Sequence, residues 1–188
     1  MAASTAPINR PTIMATWIDQ NIGQDTTHKK MKARFESLTK FITQWFYFDS
    51  EEAFTSCIEG DPPIKMIAVM SGSMSRSLVH KHSNINALHS IYVFCFDVNG
   101  ARQALQSEKK VKGVFDMEDD LYEKLADDIA KLLLEEGDAY AQANKRDLAR
   151  LNYNEAKQIL NNKAKKMNAN MKKKRIEEID DRLKRLLA

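Results

Sequence analysis

The chain has 188 residues, of which 43% are hydrophobic, and a formal net charge of +3. This length fits one domain of ordinary size with an extension, because most domains run to about 100–150 residues. The longest apolar runs span roughly seven residues, against the ~20 of a transmembrane helix, so we predict no membrane span. Residues 1–11 lack the apolar centre of a secretory signal, and we expect a disordered leader there. Two cysteines, Cys57 and Cys95, are too few for a disulfide framework and indicate a reducing, cytoplasmic compartment.

Short apolar segments alternate with helical patterns as far as residue 134. Several are nearly continuous apolar runs, which is typical of strands that are buried on both faces of a parallel sheet. The predicted strands are residues 12–18, 43–48, 64–70, 90–96 and 111–115, and the predicted helices are residues 25–41, 51–59, a turn or two through 78–82, 101–107 and 116–134. This alternation with short connections predicts a doubly wound α/β domain over residues 12–134.

Beyond this domain the pattern is helical. Residues 121–187 contain no strand pattern and no proline, and residues 157–175 carry eight basic side chains without one acid. Apolar residues continue at a helical spacing of 4-3-4 through Leu160, Ala164, Met167 and Met171, and we expect the helix to run on through them. A basic, heptad-like helix is predicted at residues 163–188. Its candidate partner-binding residues are Lys163, Lys165, Lys166, Lys172, Lys173, Lys174 and Arg175.

The first strand ends in Asp19, and five strand–helix units follow in an order that resembles a response-regulator receiver domain, a flavodoxin-like fold, over residues 12–134. Three segments are similar to receiver-like modules that precede tetratricopeptide arrays or ADP-ribosyltransferase domains in some multidomain animal proteins. They are residues 17–19 (Trp-Ile-Asp), 88–95 (Leu-His-Ser-Ile-Tyr-Val-Phe-Cys) and 109–115 (Lys-Lys-Val-Lys-Gly-Val-Phe). The resemblance implies a five-stranded parallel sheet in the order 2-1-3-4-5.

The chemistry of a working receiver is mostly absent from the matching positions. Such a domain needs two acids for Mg²⁺, a phosphoacceptor aspartate, a hydroxyl and a lysine, because phosphoryl transfer requires neutralised charge. Asp19 matches the first acid. Gln20 stands at the position of the second acid, and Met70 or Ser71 at that of the phosphoacceptor aspartate. Cys95 or Phe96 stands at the position of the hydroxyl, and Phe115-Asp116 at that of the lysine. The resemblance therefore implies a pseudo-receiver that lacks phosphoacceptor chemistry.

Residues 130–162 resemble a tetratricopeptide repeat, a hairpin of two helices. The residues at the family's spacing are Leu133, Gly137, Tyr140, Ala149, Tyr153 and Ala156. The small residues would let the helices approach closely, with the tyrosines packed between them and a turn near residues 145–147. Glu136 and Asn161 depart from the pattern. A single repeat cannot bury its own face, so we expect it to pack against another part of the chain or another protein.

Polar residues at the predicted strand ends form a candidate ligand crevice, because ligands of such sheets bind beyond the carboxyl ends of the strands. The candidates are Asp19, Gln20, Ser71, Gly72, Ser73, Arg76 and Asp97. Residues 71–77 could face an anion with Arg76 as counter-charge, or could form an ordinary strand-to-helix turn with serine caps. They carry neither a P-loop lysine nor a dinucleotide-binding glycine pattern, and we predict no cofactor.

No arrangement of residues predicts catalysis or a metal site. The sequence lacks a Gly-x-Ser-x-Gly motif, and His80 and His82 have no cysteine or acid at ligand spacing nearby. We therefore expect a non-enzymatic adaptor that binds another protein, or associates with itself, through its C-terminal helices. Two alternatives stay open: a small-anion or nucleotide-binding domain that uses residues 71–76, and nucleic-acid binding through the basic helix.

Overall fold

The structure, a computed structural model, describes residues 13–22, 26–42, 44–59 and 64–187. The predicted leader, residues 1–11, lies outside the described residues. The chain forms two compact units, Met1–Asp116 and Met117–Ala188. Within the described residues they contain five strands and seven helices.

The first unit is a parallel α/β domain. Its elements in chain order are β1 (Ile13–Ile18), α1 (Thr26–Glu36), β2 (Trp45–Phe48), α2 (Glu51–Glu59), β3 (Lys65–Ser71), α3 (Gly72–His82), β4 (Leu88–Phe94), α4 (Val98–Leu105) and β5 (Val111–Phe115). All strand pairs are parallel and the order is β2-β1-β3-β4-β5. This confirms the predicted fold class and strand order.

The sheet is covered on both faces, which explains its continuous apolar strands. On one face, Met66 and Met70 of β3 belong to a core that includes buried residues of α2, α3 and α4. On the other face, Phe35 of α1 lies between Trp17 of β1 and Trp45 of β2, with ring centroids 5.6 and 5.5 Å from the two indoles. Successive strand residues point to opposite faces, so a strand between two layers is apolar throughout.

Some element limits differ from the prediction. β4 begins at Leu88 and ends at Phe94, two residues earlier than expected, and Phe96 is fully exposed. The chain turns there because Asp97 caps α4, which begins at Val98. α1 ends at Glu36 rather than near residue 41, while α3 extends over the whole of residues 72–82.

The second unit contains three helices. They are α5 (Glu118–Gln142), α6 (Arg146–Asn162) and α7 (Ala169–Leu187). α5 begins with three acids, which the positive end of the helix dipole favours. The turn between α5 and α6 includes Asn144 at a φ of 58°, a left-handed conformation that asparagine adopts more readily than most residues. The predicted helical hairpin and C-terminal helix are therefore present, whereas the predicted domain limits at residues 134 and 162 stay predictions.

The prediction that the second helix runs on through Ala164 and Met167 is wrong. α6 ends at Asn162, residues 163–168 are not helical, and α7 begins only at Ala169. A new helix begins there because the Asn168 side chain accepts hydrogen bonds from the backbone N–H groups of Asn170 and Met171, at 3.0 and 3.3 Å. Ala164 is nevertheless fully buried, so the apolar spacing reflects packing of the connecting segment.

Candidate functional site

The polar residues predicted to line a crevice follow the carboxyl ends of β1, β3 and β4. Ile18 is paired with Met70, and Ser71 with Phe94, so the three strands end at one edge of the sheet. In open parallel sheets, ligands bind at this edge. The predicted set is Asp19, Gln20, Ser71, Gly72, Ser73, Arg76 and Asp97.

Arg76 and Asp97 form an ion pair at this edge. Arg76 Nη2 lies 3.6 Å from Asp97 Oδ2, and the two side chains are 63% and 65% exposed. Asp97 is also the N-cap of α4, because its Oδ1 accepts a hydrogen bond from the Gly100 backbone N–H at 3.0 Å. Arg76 thus lies beside a carboxylate of its own chain, which reduces the positive charge it can offer to an anion.

Ser71 is the last residue of β3 and the N-cap of α3, and Gly72 and Ser73 are the first two residues of that helix. The two serine hydroxyl oxygens are 3.2 Å apart. A Cβ atom on Gly72 would lie 2.6 Å from Cys95 Cβ, so glycine allows α3 to begin this close to the end of β4. Burial, and to a lesser degree the charge of Asp97, raises the pKa of the Cys95 thiol. A thiol in this environment is not activated as a nucleophile.

Asp19 forms a separate turn at the end of β1. Its Oδ1 accepts a hydrogen bond from the Asn21 backbone N–H at 2.9 Å, and its Oδ2 lies 4.0 Å from His28 Nε2. Gln20 is exposed in the same turn. Over the described part of the chain, no hydrogen bond or ion pair joins Asp19 to the Arg76–Asp97 pair. The structure therefore brings two pairs of the predicted set into contact, Arg76 with Asp97 and Ser71 with Ser73. It does not bring the whole predicted set together.

The hairpin residues singled out in the sequence lie mostly in the helix interface. Tyr140 is half-buried, with its ring centroid 6.0 Å from Lys145 Nζ. A Cβ atom on Gly137 would lie 2.5 Å from Tyr153 Cε1, so glycine permits this close approach. The Tyr153 hydroxyl donates to Asp138 Oδ1 at 2.6 Å, and burial together with this hydrogen bond raises the pKa of Tyr153 to about 12. The buried members of the set are Leu133, Gly137, Ala149, Tyr153 and Ala156.

The segment between α6 and α7 is bound to acids of α5. Lys166 Nζ lies 2.7 Å from Asp120 Oδ1, and this hydrogen bond raises the pKa of Lys166. The backbone N–H of Lys165 donates to Glu123 Oε1 at 2.8 Å. Sequence reasoning did not select these acids, although acidic residues spaced three or four apart on one helix were the available signal.

Further ion pairs hold α7 itself. Arg175 pairs with Asp127 of α5, and Arg182 Nε lies 3.0 Å from Asp138 Oδ1, also in α5. Lys157 of α6 pairs with an acid of α7, Asp180. Within α7, Ile179 is fully buried and Ile176, Leu183 and Leu186 are half-buried, so the helix is held by an apolar stripe as well as by these charged contacts.

The remaining basic residues of the predicted set lie near solvent. Lys173 Nζ is 4.0 Å from Glu177, and both side chains are well exposed. Lys174 is exposed and Lys172 is half-buried, and neither has an ion-pair partner among the described residues; Lys163, just beyond α6, is also half-buried. The predicted partner-binding set thus divides into residues that hold the helical unit together and residues that face outward.

A groove of about 530 Å³ lies where α5 ends, α6 begins and α7 ends. Its charged lining consists of Arg146, Arg182, Arg185 and Asp138, and Tyr153 also contributes. These arginines were not among the sequence candidates, because they come from two helices far apart in the chain. Only the packing of the helices in the folded unit places these arginines around one cavity.

No group of histidine, cysteine and acidic side chains in the described residues could hold a metal ion. In the same part of the chain, no helix is long and apolar enough to cross a membrane. Comparisons with models of known families, with curated proteins and with solved structures found no match.

Proposed function

We propose that this chain is a non-enzymatic interaction module, in which a pseudo-receiver α/β domain accompanies a helical unit that binds a basic amphipathic helix. The observation that carries the proposal is the way α7 is held. Ile179 is its one fully buried side chain among the described residues, Ile176, Leu183 and Leu186 of the same stripe are half-buried, and charged pairs of Arg175, Arg182 and Asp180 join it to the α5–α6 hairpin.

In this proposal α7 is the intramolecular occupant of a helix-binding surface, which we call the hairpin surface. We define it by Asp127 and Asp138 of α5, Lys157 of α6 and the apolar contact with Ile179. A partner helix would match it with basic residues at the positions of Arg175 and Arg182, about two turns apart, and an apolar residue between them.

The incomplete burial of α7 supports an exchange between α7 and a partner. Ile179 is fully buried, but Ile176, Leu183 and Leu186 are only half-buried, and a partly exposed ion pair such as Arg182–Asp138 contributes only about 0–1 kcal/mol. A partner helix that buries more apolar surface at the same positions would compete with α7, since each fully buried apolar side chain contributes about 1.5–3 kcal/mol. Exchange between two copies of the chain would give self-association by the same contacts.

The test uses a labelled peptide of residues 168–187 and the full chain. The variant Arg175→Asp/Arg182→Asp weakens the chain's own α7, so it should bind the peptide at least tenfold more tightly than the unaltered chain. The control Lys173→Asp/Lys174→Asp changes the same number of charges on exposed residues and should bind as the unaltered chain does. Equal affinity in all three chains, measured by fluorescence anisotropy, would contradict the proposal.

Light scattering coupled to size exclusion distinguishes the two kinds of partner. Association of the weakened variant into dimers would indicate exchange of α7 between copies, whereas a monomer that binds the peptide would indicate a foreign helix as the partner. We also propose a cytoplasmic location, because Cys57 and Cys95 are both free thiols, as a reducing compartment would keep them.

The two alternative functions have weaker support. Arg76, the counter-charge for an anion at residues 71–76, is already beside Asp97. Nucleic-acid binding requires accessible cations, but Lys166 and Arg175 pair with acids of α5.

A further inference from the structure

The groove at the end of the helical unit has an excess of positive charge. Asp138 is its one acidic residue, against three arginines, which gives a formal charge of +2 for the lining. Asp138 is already engaged, because it accepts hydrogen bonds from the Tyr153 hydroxyl at 2.6 Å and from Arg182 Nε at 3.0 Å. The negative charge of Asp138 therefore already has partners within the wall of the groove.

The other two arginines are uncompensated. Arg146 and Arg185 are exposed and have no ion-pair partner among the described residues, although both line the groove. The positive charges of Arg182 and Arg185 both act on the Tyr153 hydroxyl. They lower its pKa, against the larger raising effects of burial and of Asp138. Unpaired guanidinium groups around one cavity are an arrangement that an anionic ligand stabilises.

The start of α6 adds to this positive potential. Arg146 is the first residue of α6, and Lys145 caps the helix without a side-chain hydrogen bond. First-turn N–H groups of a helix have no partner within the helix, and its dipole is positive there. Asp147 is also in the first turn, but its carboxylate is 89% exposed and lies 3.1 Å from Arg150 Nη2, outside the groove lining.

We infer that this groove binds a phosphomonoester group, with Arg146 and Arg185 as its principal ligands and Arg182 as a third. A phosphomonoester carries close to two negative charges at neutral pH, which matches the lining, and guanidinium groups bind its oxygens in bidentate fashion. A volume of about 530 Å³ is that of a small-ligand site. The site goes beyond the proposed interaction function and does not depend on exchange of α7.

Binding would also strengthen the docking of α7. Arg146 belongs to α6, while Arg182 and Arg185 belong to α7, so a phosphate held by all three would link the two helices. A ligand that binds only the docked arrangement stabilises it in proportion to its concentration over its dissociation constant. A phosphorylated ligand is then expected to oppose binding of a partner helix at the hairpin surface.

The test titrates the full chain with inorganic phosphate, against sodium chloride at matched ionic strength, and follows backbone amide NMR signals. Shifts confined to residues 138–148 and 180–186, with a saturating dependence on phosphate, are expected. Arg146→Gln and Arg185→Gln should each weaken phosphate binding at least tenfold. Arg150→Gln, an exposed arginine of the same helix outside the groove, should leave it unchanged.

Two sources of the phosphomonoester are then compared, glycerol phosphate and a phosphoserine peptide, and whichever binds more tightly names the ligand class. Equal phosphate affinity in the three variants and the unaltered chain would overturn the inference, as would the same shifts with chloride. Binding of succinate without binding of phosphate would also overturn it, in favour of a dicarboxylate. The peptide-exchange test shares only Arg182 with the groove, is run without phosphate and reads out peptide affinity, so failure of the anion site leaves its result unaffected.

Discussion

Arg175 of α7 forms an ion pair with Asp127 of α5, a residue that lies 48 positions earlier in the chain. Both side chains are largely buried, at 21% and 19% exposure. Asp127 has a second partner in its own helix, because Lys131 Nζ lies 2.9 Å from its Oδ2. The basic segment and the acidic helix thus neutralise each other, and the net charge of the isolated sequence segment overstates the charge it offers to partners.

Reversal of either charge of this pair is expected to destabilise the helical unit. Arg175→Asp should lower the free energy of unfolding by about 1–3 kcal/mol, because two largely buried carboxylates then face each other. Asp127→Arg should cost somewhat more, since the new arginine also faces Lys131. Urea unfolding followed by circular dichroism measures the loss, because urea does not screen ion pairs.

The double variant Asp127→Arg/Arg175→Asp should recover about half of the stability that Asp127→Arg alone loses. Recovery is incomplete because Lys131 still faces the new arginine at position 127. The exposed pair Lys184–Asp181 provides the control, and Lys184→Asp should cost less than about 0.5 kcal/mol. If the double variant were as unstable as the sum of the single variants, the two residues would not interact.

Gly137→Ala is expected to destabilise the α5–α6 hairpin, although alanine is the better helix former. The new Cβ would lie 2.5 Å from Tyr153 Cε1, and the ring is buried and held by Asp138. Overpacking of this kind costs about 1–3 kcal/mol, more than the ~1 kcal/mol gained in helix propensity. Thermal unfolding of the full chain would show the lower midpoint.

The sign of the same substitution should invert when the ring is removed. In a Tyr153→Ala background, Gly137→Ala meets no ring and should stabilise the chain by about 1 kcal/mol. Destabilisation of equal size in both backgrounds would mean that the contact with Tyr153 is not what requires glycine at this position.

Gly72→Ala tests the close approach of α3 to β4 in the first unit. Its Cβ would lie 2.6 Å from Cys95 Cβ, an atom fixed to the backbone, so we expect a loss of about 1–3 kcal/mol. Cys95→Ala keeps this Cβ and should give no relief, whereas Cys95→Gly should recover part of the loss. Relief by Cys95→Ala, measured by the midpoint of urea unfolding, would place the clash on the sulfur instead.

The sheet was predictable from sequence because its signal is local. Strands between two layers of helices are apolar throughout, and the runs at β1, β3 and β4 show this without any knowledge of their neighbours. The end of β4 was placed two residues late because Phe96 continues the apolar run, although it lies in solvent. The apolar pattern alone does not indicate that the next residue, Asp97, caps a helix.

The helical unit was less predictable because its decisive contacts are distant in sequence. The break at residues 163–168 had a local signal, the capping residue Asn168, but the apolar spacing through Ala164 suggested continuity. The pairing of Lys166 with Asp120 spans 46 residues, and no periodicity within either segment indicates it. The arginines of the groove are likewise brought together only by the packing of three helices.

His82 gives the first unit a pH dependence whose sign follows from its burial. The side chain is 3% exposed, and its Nε2 lies 3.0 Å from Thr55 Oγ1. Burial, and then the charge of Lys81, lowers the pKa of His82 below 6.5, against the smaller opposing effects of Glu59 and Glu51. Between about pH 6.5 and the lower pKa of His82 in the folded chain, the unfolded chain therefore binds a proton more readily than the folded chain.

Stability of the first unit should consequently fall as the pH drops below about 6.5, and the fall should level off below the folded pKa of His82. Urea midpoints at pH 7.5, 6.5 and 5.5 would measure this slope. His82→Gln removes the titrating group and should flatten the curve, whereas His80→Gln changes an exposed histidine and should preserve it. A curve that falls equally steeply in the His82→Gln variant would mean that another group carries the pH dependence.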